Sequence, residues 1–385
     1  MQEESVLIIA GEMSGEEIAL GFIDEIQEKY PHLQFFGVGG DRLKSKGVKL
    51  LYHLKNFSSW GISGVISKIP FYFKALDKIL SESRRRSTKI AILIDFQTFN
   101  FKLAKKLHKD GVKVLFLVAP QAWAWKAWRG REMAKWTEAL FCLIPFEKKW
   151  FSDRGVKQTF HLTHPMYSQY ENVLAKKEWK DFKQIKENCR LLLLPGSRKF
   201  EVKNLLPIFL QACEKLKEQG LNIEVGVLQS STLDQSFINP LLQTTKYSPR
   251  IFHEGEEAFL WADLGLACSG TITLTSALFE IPSIVCYRTS LLNQFVFETF
   301  VSYTGPISLA NIMKSNSIDK DCEKIFPELV QDEVSLYNIL HELRKLLEDQ
   351  DHYDKIRMKL SGFADNLRGE QMTITSYFTK FFEGK

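Results

Sequence analysis

The chain alternates short apolar runs with amphipathic stretches, and this alternation constrains its fold more than any other feature. The apolar runs span residues 6–10, 33–38, 89–94, 112–118 and 139–144 in the first part, and 190–194, 221–228, 262–267 and 282–287 in the second. Runs that are apolar almost throughout are typical of parallel strands whose two faces are both covered by helices. The sequence therefore predicts an α/β protein in which strands and helices alternate.

The apolar runs fall into two blocks. Between them, residues 167–188 are polar and charged and show no strand pattern, which predicts a linker. We therefore expect two doubly wound, Rossmann-like domains at 1–166 and 167–333, followed by C-terminal helices over 334–385 that pack back on the first domain. Ligands bind beyond the carboxyl ends of the strands in such sheets, so the residues after each run are the candidate functional residues.

The charge of the chain is unevenly distributed. Residues 41–150 contain 23 Lys and Arg against 8 Asp and Glu, a local charge of +15, whereas the whole chain contains 51 against 46, a net charge of +5. Six of the eight Trp residues also lie in the first 150 residues. A basic, Trp-rich segment indicates an anionic partner, which leaves phosphate, nucleic acid and anionic lipid as candidates.

Other classes of protein are disfavoured by what the sequence lacks. The first residues show no basic segment or cleavage site of a signal peptide, and no apolar stretch reaches the roughly 18 residues that span a bilayer. The six Cys form no C-x-x-C pair, and the eight His show no metal-ligand spacing. We therefore expect a cytoplasmic protein with reduced cysteines and no metal.

The loops that follow two apolar runs of the second block are suited to binding phosphate. Their residues are Gly196, Ser197 and Arg198 in one loop and Ser269, Gly270 and Thr271 in the other. The first loop combines a flexible backbone with a guanidinium that binds phosphate bidentately, and the second opens a helix whose first N–H groups are unpaired. Either loop alone is compatible with a plain helix cap, but both together with Arg288 favour a nucleotide diphosphate pocket.

The first block carries candidate residues at three strand ends. Asp95 follows a buried strand, where a carboxylate acts either as a general base on a hydroxyl or as a cap of the next helix. The glycine-rich turn 11–16 fits a ligand-binding turn and a plain tight turn equally well. Residues 121–129 combine three Trp with Lys and Arg, a composition typical of an interfacial or sugar-phosphate surface.

The order of these motifs along the chain resembles that of the lipid-A-disaccharide synthases, glycosyltransferases with the two-domain GT-B fold. The shared motifs lie at 10–15, 38–40, 60–62, 94–95, 99–100, 123–125, 143–147, 164–165, 193–198, 269–271, 287–288 and 327–329. The resemblance implies two Rossmann-like domains that face a central cleft. It also implies transfer of a diacylated glucosamine from its UDP form to diacylglucosamine 1-phosphate, which gives the lipid A disaccharide 1-phosphate and UDP.

The resemblance further implies roles for single residues. Asp95 matches the general base that takes the proton of the acceptor hydroxyl as it attacks the anomeric carbon with inversion, and Arg198 stabilises the leaving UDP in place of a metal. The residues that would bind the nucleotide sugar are Gly196, Ser197, Arg198, Ser269, Gly270, Thr271, Thr275 and Arg288. Those that would lie on the acceptor side are Ser14, Gly15, Gln121, Trp123 and Trp125. No cofactor is implied beyond the UDP-sugar substrate.

At several positions the chain departs from the pattern of this family. Thr275 stands where such families place a Glu that binds the ribose hydroxyls, and residues 96–98 read Phe-Gln-Thr where Ala-Pro-Asp is usual. Gly64, Gln121 and Thr163 are further departures. Because Asp95 and Arg198 are retained we expect activity, and an altered substrate preference or a weakly active paralogue stays open.

Residues 64–74 combine apolar side chains with flanking Lys, which is typical of a segment that enters the headgroup region of a bilayer. The predicted docking side chains are Val65, Ile66, Ile69, Phe71, Tyr72 and Phe73. We accordingly expect a peripheral protein at the inner surface of the cytoplasmic membrane, acting on acylated UDP-glucosamine and acylated glucosamine 1-phosphate, and we leave a homodimer open.

Two alternative functions stay open at this point. One is another GT-B enzyme acting on a UDP-sugar, such as an epimerase or a different transferase. The other is a nucleic-acid-binding protein that uses the basic, aromatic segment 41–150. The phosphate loops of the second block make the latter the weakest hypothesis, so we expect no nucleic-acid partner.

Overall fold

The computed structural model describes residues 4–57, 68–289, 303–370 and 373–383, except for the side chain of Trp125. The chain divides into two units, the first formed by Met1–Pro165 with Gly369–Lys385 and the second by Met166–Arg368. The predicted boundary at residue 166 is adjacent to this division. The predicted docking residues Val65 and Ile66 lie outside the described residues.

In the described part of the first unit, seven parallel strands form a sheet in the order β3-β2-β1-β4-β5-β6-β7. They are β1 Glu4–Ala10, β2 Leu33–Gly39, β3 Lys49–His53, β4 Ile90–Ile94, β5 Lys113–Leu117, β6 Ala139–Cys142 and β7 Thr159–His161. The direction in which the chain adds strands reverses between the neighbours β1 and β4. This reversal is the topological switch point of the sheet.

Helices cover both faces of this sheet. They are α1 Met13–Lys29, α2 Asp41–Ser45, α3 Ile69–Arg85, α4 Gln97–Lys109, α5 Ala122–Trp125, α6 Trp128–Met133, α7 Pro145–Ser152 and, from the end of the chain, α17 Ile374–Glu383. Alternate residues of β1 enter two separate cores because side chains of a strand alternate between its faces. Leu7 and Ile9 pack with α3 and α4, whereas Val6 and Ile8 pack with α1 and α17.

The second unit repeats this plan, with six parallel strands among its described residues in the order β10-β9-β8-β11-β12-β13. They are β8 Cys189–Leu194, β9 Ile223–Leu228, β10 Arg250–Phe252, β11 Leu264–Cys268, β12 Ser283–Tyr287 and β13 Glu328–Val330. Its helices are α8 Pro165–Leu174, α9 Phe182–Glu187, α10 Lys199–Glu218, α11 Gln235–Leu242, α12 Gly255–Trp261, α13 Thr271–Leu278, α14 Leu309–Ser315, α15 Leu336–Glu348 and α16 Gln350–Leu360. Here the switch point lies between β8 and β11.

Two expectations about the connecting segments differ from the structure. The predicted linker 167–188 contains α8 and α9, which bury Tyr167, Val173 and Ile185 within the second unit. The C-terminal residues do not act as one group, because α15 packs on α10 and α16 inside the second unit and only α17 joins the first. In both segments the apolar residues follow a helical period that a search for strands overlooks. No helix among the described residues is long and apolar enough to cross a membrane.

Candidate functional site

A cavity of about 520 Å³ lies at the carboxyl end of the second sheet. The loops that line it follow β8, β9, β10 and β11, so it straddles the switch point, where open α/β sheets bind their ligands. Among its lining residues are all six of the predicted phosphate loops, Gly196, Ser197, Arg198, Ser269, Gly270 and Thr271. Further lining residues that sequence reasoning missed are Glu201, Gln229, Ser230, Ser231, His253 and Gly255.

Two glycines shape the wall of this cavity. Gly196 and Gly270 have φ angles of +108° and +128°, which side chains of L-residues rarely permit. A Cβ atom at Gly196 would also approach Glu201 Oε2 to 2.5 Å and Cys268 Sγ to 3.2 Å. The loop after β8 therefore requires glycine both for its conformation and for its packing.

Helix N-termini supply positive potential on the same wall. α10 and α13 begin directly after the two loops. At α10 the carboxylate of Glu201 accepts from the N–H of Arg198 at 3.3 Å, whereas the N-cap of α13, Gly270, makes no side-chain capping bond. The first N–H groups of a helix have no intrahelical acceptor, and the helix dipole favours a negative charge beside them. The wall is thus built to receive an anion from backbone groups.

Arg198 adds a full positive charge at the edge of the cavity. Its side chain is 79% exposed, and Nη1 donates to Glu201 Oε1 at 2.7 Å. An exposed pair of this kind contributes little stability. Its consequence is positional, because it holds the guanidinium beside the helix N-terminus where it can bind phosphate bidentately.

Two of the predicted nucleotide-binding residues lie outside the cavity lining. Thr275 is buried, and its hydroxyl donates to Met166 Sδ at 2.9 Å, so the structure does not support a contact with ribose. Arg288 follows β12, one strand beyond the cavity, and donates to the carbonyl of Val334. Both predictions rested on the order of residues along the chain, which does not show which way a side chain points.

In the first unit, Asp95 occupies a strained turn at the end of β4. Asp95 and Phe96 have φ angles of 48° and 45°, a left-handed conformation that is costly for non-glycine residues. The turn is held by Asn100 Nδ2, which donates to the carbonyls of Ile94 and Asp95 at 3.2 and 2.8 Å. Phe96 is the N-cap of α4 and makes no side-chain capping bond, so the structure does not show Asp95 in the capping role that the sequence left open.

The environment of Asp95 makes it a stronger base than a free aspartate. Burial raises the pKa of its carboxyl group, and a hydrogen bond from the backbone of Phe96 opposes that shift. Glu12, at the end of the neighbouring strand β1, is a second carboxyl group that sequence reasoning missed. Partial removal from water, and secondly the negative charge of Asp95, raise the pKa of Glu12. At the switch point of the first sheet, Glu12 and Asp95 thus lie close enough for their charges to interact.

The glycine-rich turn after β1 combines a structural role with an exposed first helical turn. A Cβ at Gly11 would lie 2.8 Å from carbons of the Phe96 ring, so glycine is needed for the strained turn to fit. Gly15 is buried against Ile94 and offers no contact surface, contrary to its predicted acceptor role. Glu16 is buried and accepts from the N–H groups of Gly40 and Leu43. Ser14 is exposed and stays a candidate.

One Trp of the Trp-rich segment packs inside the first unit and does not contribute to an acceptor surface. Trp123 is buried, its indole Nε1 donates to Glu147 Oε1 at 2.9 Å, and its ring meets Phe146 edge-on. Its role is therefore structural, because both its polar and apolar parts are occupied inside the unit. Gln121 is exposed at the start of α5 and stays a candidate. The side chain of Trp125 lies outside the part of the chain that the structure describes.

The glutamate that binds Trp123 is itself unusual. Glu147 is 2% exposed, and burial raises the pKa of its carboxyl to about 8, against the opposing hydrogen bonds from Trp123 and the backbone of Ile144. At neutral pH this carboxyl group is largely protonated. It belongs to the 143–147 motif, so part of that motif serves packing.

The described side chains of the predicted docking segment fall into two groups at the start of α3, one packed and one exposed. Phe71 packs edge-on against Tyr52 and Phe57, and the hydroxyl of Tyr72 donates to the carbonyl of Phe57 at 3.0 Å. These two side chains therefore belong to the flank of the core and do not fit the predicted docking role. Ile69 and Phe73 are 44% and 56% exposed and remain candidates.

These features define the class of protein. Two doubly wound α/β units, with a cavity lined by helix N-termini at the switch point of one and two carboxyl groups at that of the other, form the GT-B fold of glycosyltransferases and related epimerases. The chain is similar in structure to S. aureus MnaA with UDP, with a TM-score of 0.57 and 10% identity over 99% of this chain and 97% of that one. It is also similar to the calicheamicin glycosyltransferase CalG4, with a TM-score of 0.54 and 11% identity over 95% of this chain and 94% of that one. At such identities the likeness shows the fold alone.

The particular family follows from the sequence comparisons. The model of the lipid-A-disaccharide synthetase family matches residues 6–382, and the chain belongs to that family. A lipid-A-disaccharide synthase of Myxococcus xanthus is 30% identical over 344 residues, which cover 89% of this chain and 87% of that protein. One of Nitrosococcus oceani is 28% identical over 383 residues, 99% and 97% of the two chains. The resemblance drawn from the motifs is confirmed.

Proposed function

We propose that this chain is a lipid-A-disaccharide synthase, which transfers diacylglucosamine from UDP to diacylglucosamine 1-phosphate. The observation that carries the proposal is the cavity of the second unit, because its glycine loops and helix N-termini suit a diphosphate in a chain that matches the family from residue 6 to 382. The UDP pyrophosphate lies against residues 196–198 and 269–271. Their N–H groups and Arg198 stabilise the charge that develops on UDP as its bond to the sugar breaks.

In this mechanism Asp95 is the general base. It takes the proton from the acceptor hydroxyl while the oxygen of that hydroxyl forms a bond to the anomeric carbon and UDP leaves from the opposite face. The raised pKa of Asp95 supports the assignment, because a more basic carboxylate takes the proton more readily. Glu12 lies close enough to share this site electrostatically. That the reaction needs no metal stays a prediction from the resemblance.

We also propose that α3 brings the first unit to a lipid surface. Ile69 and Phe73 are exposed apolar side chains at the start of this helix, and Lys102 Nζ lies 5.3 Å from the centre of the Phe73 ring. α4 adds three more lysines, Lys105, Lys106 and Lys109. Apolar side chains beside lysines are suited to the headgroup region of an anionic bilayer, where acylated substrates reside.

A transfer assay with UDP-diacylglucosamine and diacylglucosamine 1-phosphate, read by mass spectrometry, tests the proposal. We expect the tetraacyl disaccharide 1-phosphate and equimolar UDP only when both substrates are present. Release of UDP without an acceptor, or conversion of the donor to an isomeric UDP-sugar, would instead support the epimerase alternative and contradict transfer.

A further inference from the structure

A buried glutamate that the proposed reaction does not use lies behind the cavity of the second unit. Glu328 is the first residue of β13, and its side chain is 3% exposed. Its Oε1 accepts hydrogen bonds from the N–H groups of Ile307 at 3.0 Å and Ser308 at 2.8 Å and from Asn311 Nδ2 at 2.9 Å. A carboxylate with this many donors fixes the groups that donate to it, because charge-assisted bonds are the strong ones.

Asn311 makes a second set of hydrogen bonds that fix the same segment. It is fully buried, and its Oδ1 accepts from the N–H groups of Ile325 and Phe326, both at 2.9 Å. Its Nδ2 also donates to the carbonyl of Phe326 at 2.9 Å, besides the bond to Glu328. Both ends of this side-chain amide are therefore satisfied, as a buried polar network requires. Together the two side chains hold the start of α14 against residues 325–328.

The negative charge of this buried group is compensated from one side. Lys324 Nζ lies 3.0 Å from Glu328 Oε2, the oxygen that the donors on Oε1 leave available. The lysine side chain is 39% exposed, so it covers the carboxylate from the solvent side. Burying a carboxylate is costly unless it is paired and hydrogen-bonded, and here both conditions are met.

The segment that Glu328 holds is bonded to the anion-binding loop. The carbonyl of Ile307 accepts from Ser269 Oγ at 3.0 Å, and it shares a peptide unit with the N–H of Ser308, which donates to Glu328. Three residues after Ile307, the N–H of Ala310 approaches Thr273 Oγ1 at 3.4 Å, in the first turn of α13. Between them Leu309 lines the cavity. A continuous path of bonds thus leads from the carboxylate through one peptide unit to the N-terminus of α13.

From this path we infer that Glu328 is a positioning residue for the donor substrate, which acts through Ile307 and Ser269 to hold the helix N-terminus that binds the diphosphate. The inference rests on the proposed function, because it takes UDP as the ligand of the cavity. Donors that are already in place need not reorganise when charge develops on the leaving group. Loss of Glu328 therefore weakens UDP binding and slows the transfer step without touching the acceptor.

The test uses the full chain and the variant Glu328→Gln, which keeps the size of the side chain and removes its charge. UDP affinity is measured by calorimetry, and kcat and the acceptor KM by the transfer assay. We expect UDP to bind about tenfold more weakly and kcat to fall about tenfold, a fraction of the 10²–10³ that loss of a direct donor costs, with an unchanged acceptor KM. Glu323→Gln, an exposed glutamate of the same segment, is the matched control.

Two further variants separate positioning from a general effect on folding. Glu328→Asp keeps the charge and should recover part of the UDP affinity. In Ser269→Ala with Glu328→Gln the losses should be less than additive, because both changes interrupt the same path. Unchanged UDP affinity in folded Glu328→Gln would overturn the inference. Where that variant does not fold, unchanged UDP affinity in folded Ser269→Ala would overturn it, because Ser269 carries the path to Ile307. Strictly additive losses would overturn the path through Ser269, whereas a wild-type chain that binds no UDP would overturn the proposed function instead.

Discussion

The switch points of the two sheets occupy equivalent places in the fold and carry opposite chemistry. In the first unit, β1 and β4 end in Glu12 and Asp95, and the turn after β4 is a strained left-handed one made by non-glycine residues. In the second, β8 and β11 end in glycine turns that open two helices. One architecture thus carries carboxyl groups at one switch point and helix N–H groups at the other, and under the proposed function the first would remove a proton and the second would bind phosphate.

The excess of basic residues and the cavity suited to phosphate lie in different units. The excess of Lys and Arg lies in residues 41–150 of the first unit, whereas the anion-binding cavity lies in the second, on the less basic part of the chain. Backbone N–H groups and a single guanidinium suffice at the cavity because they are oriented. Eight of these basic residues lie on α3 and α4, and a spread of this kind suits an anionic surface better than a single phosphate.

The largest expected effect comes from removing the base of the first unit. Asp95→Asn should lower kcat by about 10²–10⁴, the range that general base catalysis contributes, and should leave UDP affinity near that of the wild type. The transfer assay and a UDP titration measure the two quantities. Asp77→Asn, which changes an exposed aspartate on α3, is the matched control and should have wild-type activity. Near-normal turnover in Asp95→Asn would remove Asp95 from the base role.

The second effect is on the anion site of the other unit. Arg198→Ala should weaken UDP binding by about 10- to 100-fold, since a hydrogen bond to a charged group contributes about 1.5–3 kcal/mol. Arg250→Ala removes an exposed arginine of the same unit that pairs with Glu257, and it should leave UDP binding unchanged. If Arg198→Ala binds UDP as the wild type does, the guanidinium is not part of the diphosphate site.

A pH dependence of stability is expected from the buried carboxyl group of the first unit. The pKa of Glu147 is raised to about 8 in the folded protein, against a usual value of 4.5, so the folded state holds a proton that the unfolded state has lost between those pH values. The free energy of unfolding should therefore fall as pH rises from about 4.5 to 8, by on the order of 1 kcal/mol per pH unit.

Urea unfolding of the wild type and Glu147→Gln at pH 5 and pH 8 measures this contribution. The variant keeps a neutral side chain at all pH values, so its stability should change less between the two conditions. Equal pH dependence of the two proteins would mean that Glu147 is ionised in the folded state.

The smallest effects concern α3, the helix proposed to contact lipid. Phe73→Ser should reduce sedimentation with anionic liposomes several-fold and leave the free energy of unfolding nearly unchanged, because the ring is exposed. Phe71→Ser should leave sedimentation with liposomes nearly unchanged. It should destabilise the unit by about 1–3 kcal/mol, since its ring packs against Tyr52 and Phe57. Undiminished liposome binding of Phe73→Ser would exclude this surface as the docking site.

The sequence predicts the interior of the fold better than its edges. Every strand that the apolar runs predicted is present. Within the described ranges the sequence missed four strands, which are the edge strands of the two sheets, β3, β7, β10 and β13. An edge strand is covered less completely, and their partly buried residues, such as those of Lys49–His53, follow no continuous apolar pattern. The same reason explains why the positions in the centre of each sheet were the most predictable.

The order of elements along the chain predicted which loops form the site but not where their side chains point. The loops after β8 and β11 meet because parallel strands end at one edge, so their residues line one cavity as expected. Side-chain direction is not encoded in that way. The side chain of Trp123 bonds to Glu147 and that of Thr275 to Met166, and neither contact follows from the sequence. Glu12 and Glu328 lie in the shared motifs 10–15 and 327–329, but only their spatial neighbours suggest a role for them.

The central claim is that the first unit removes the proton and the second binds UDP. The most direct measurement is a calorimetric titration of UDP into the wild type, Asp95→Asn and Arg198→Ala, with transfer activity measured on the same samples. We predict wild-type affinity without turnover for Asp95→Asn, and a loss of affinity for Arg198→Ala. Equal weakening of UDP binding by both substitutions, or an unchanged affinity in Arg198→Ala, would contradict this division between the two units.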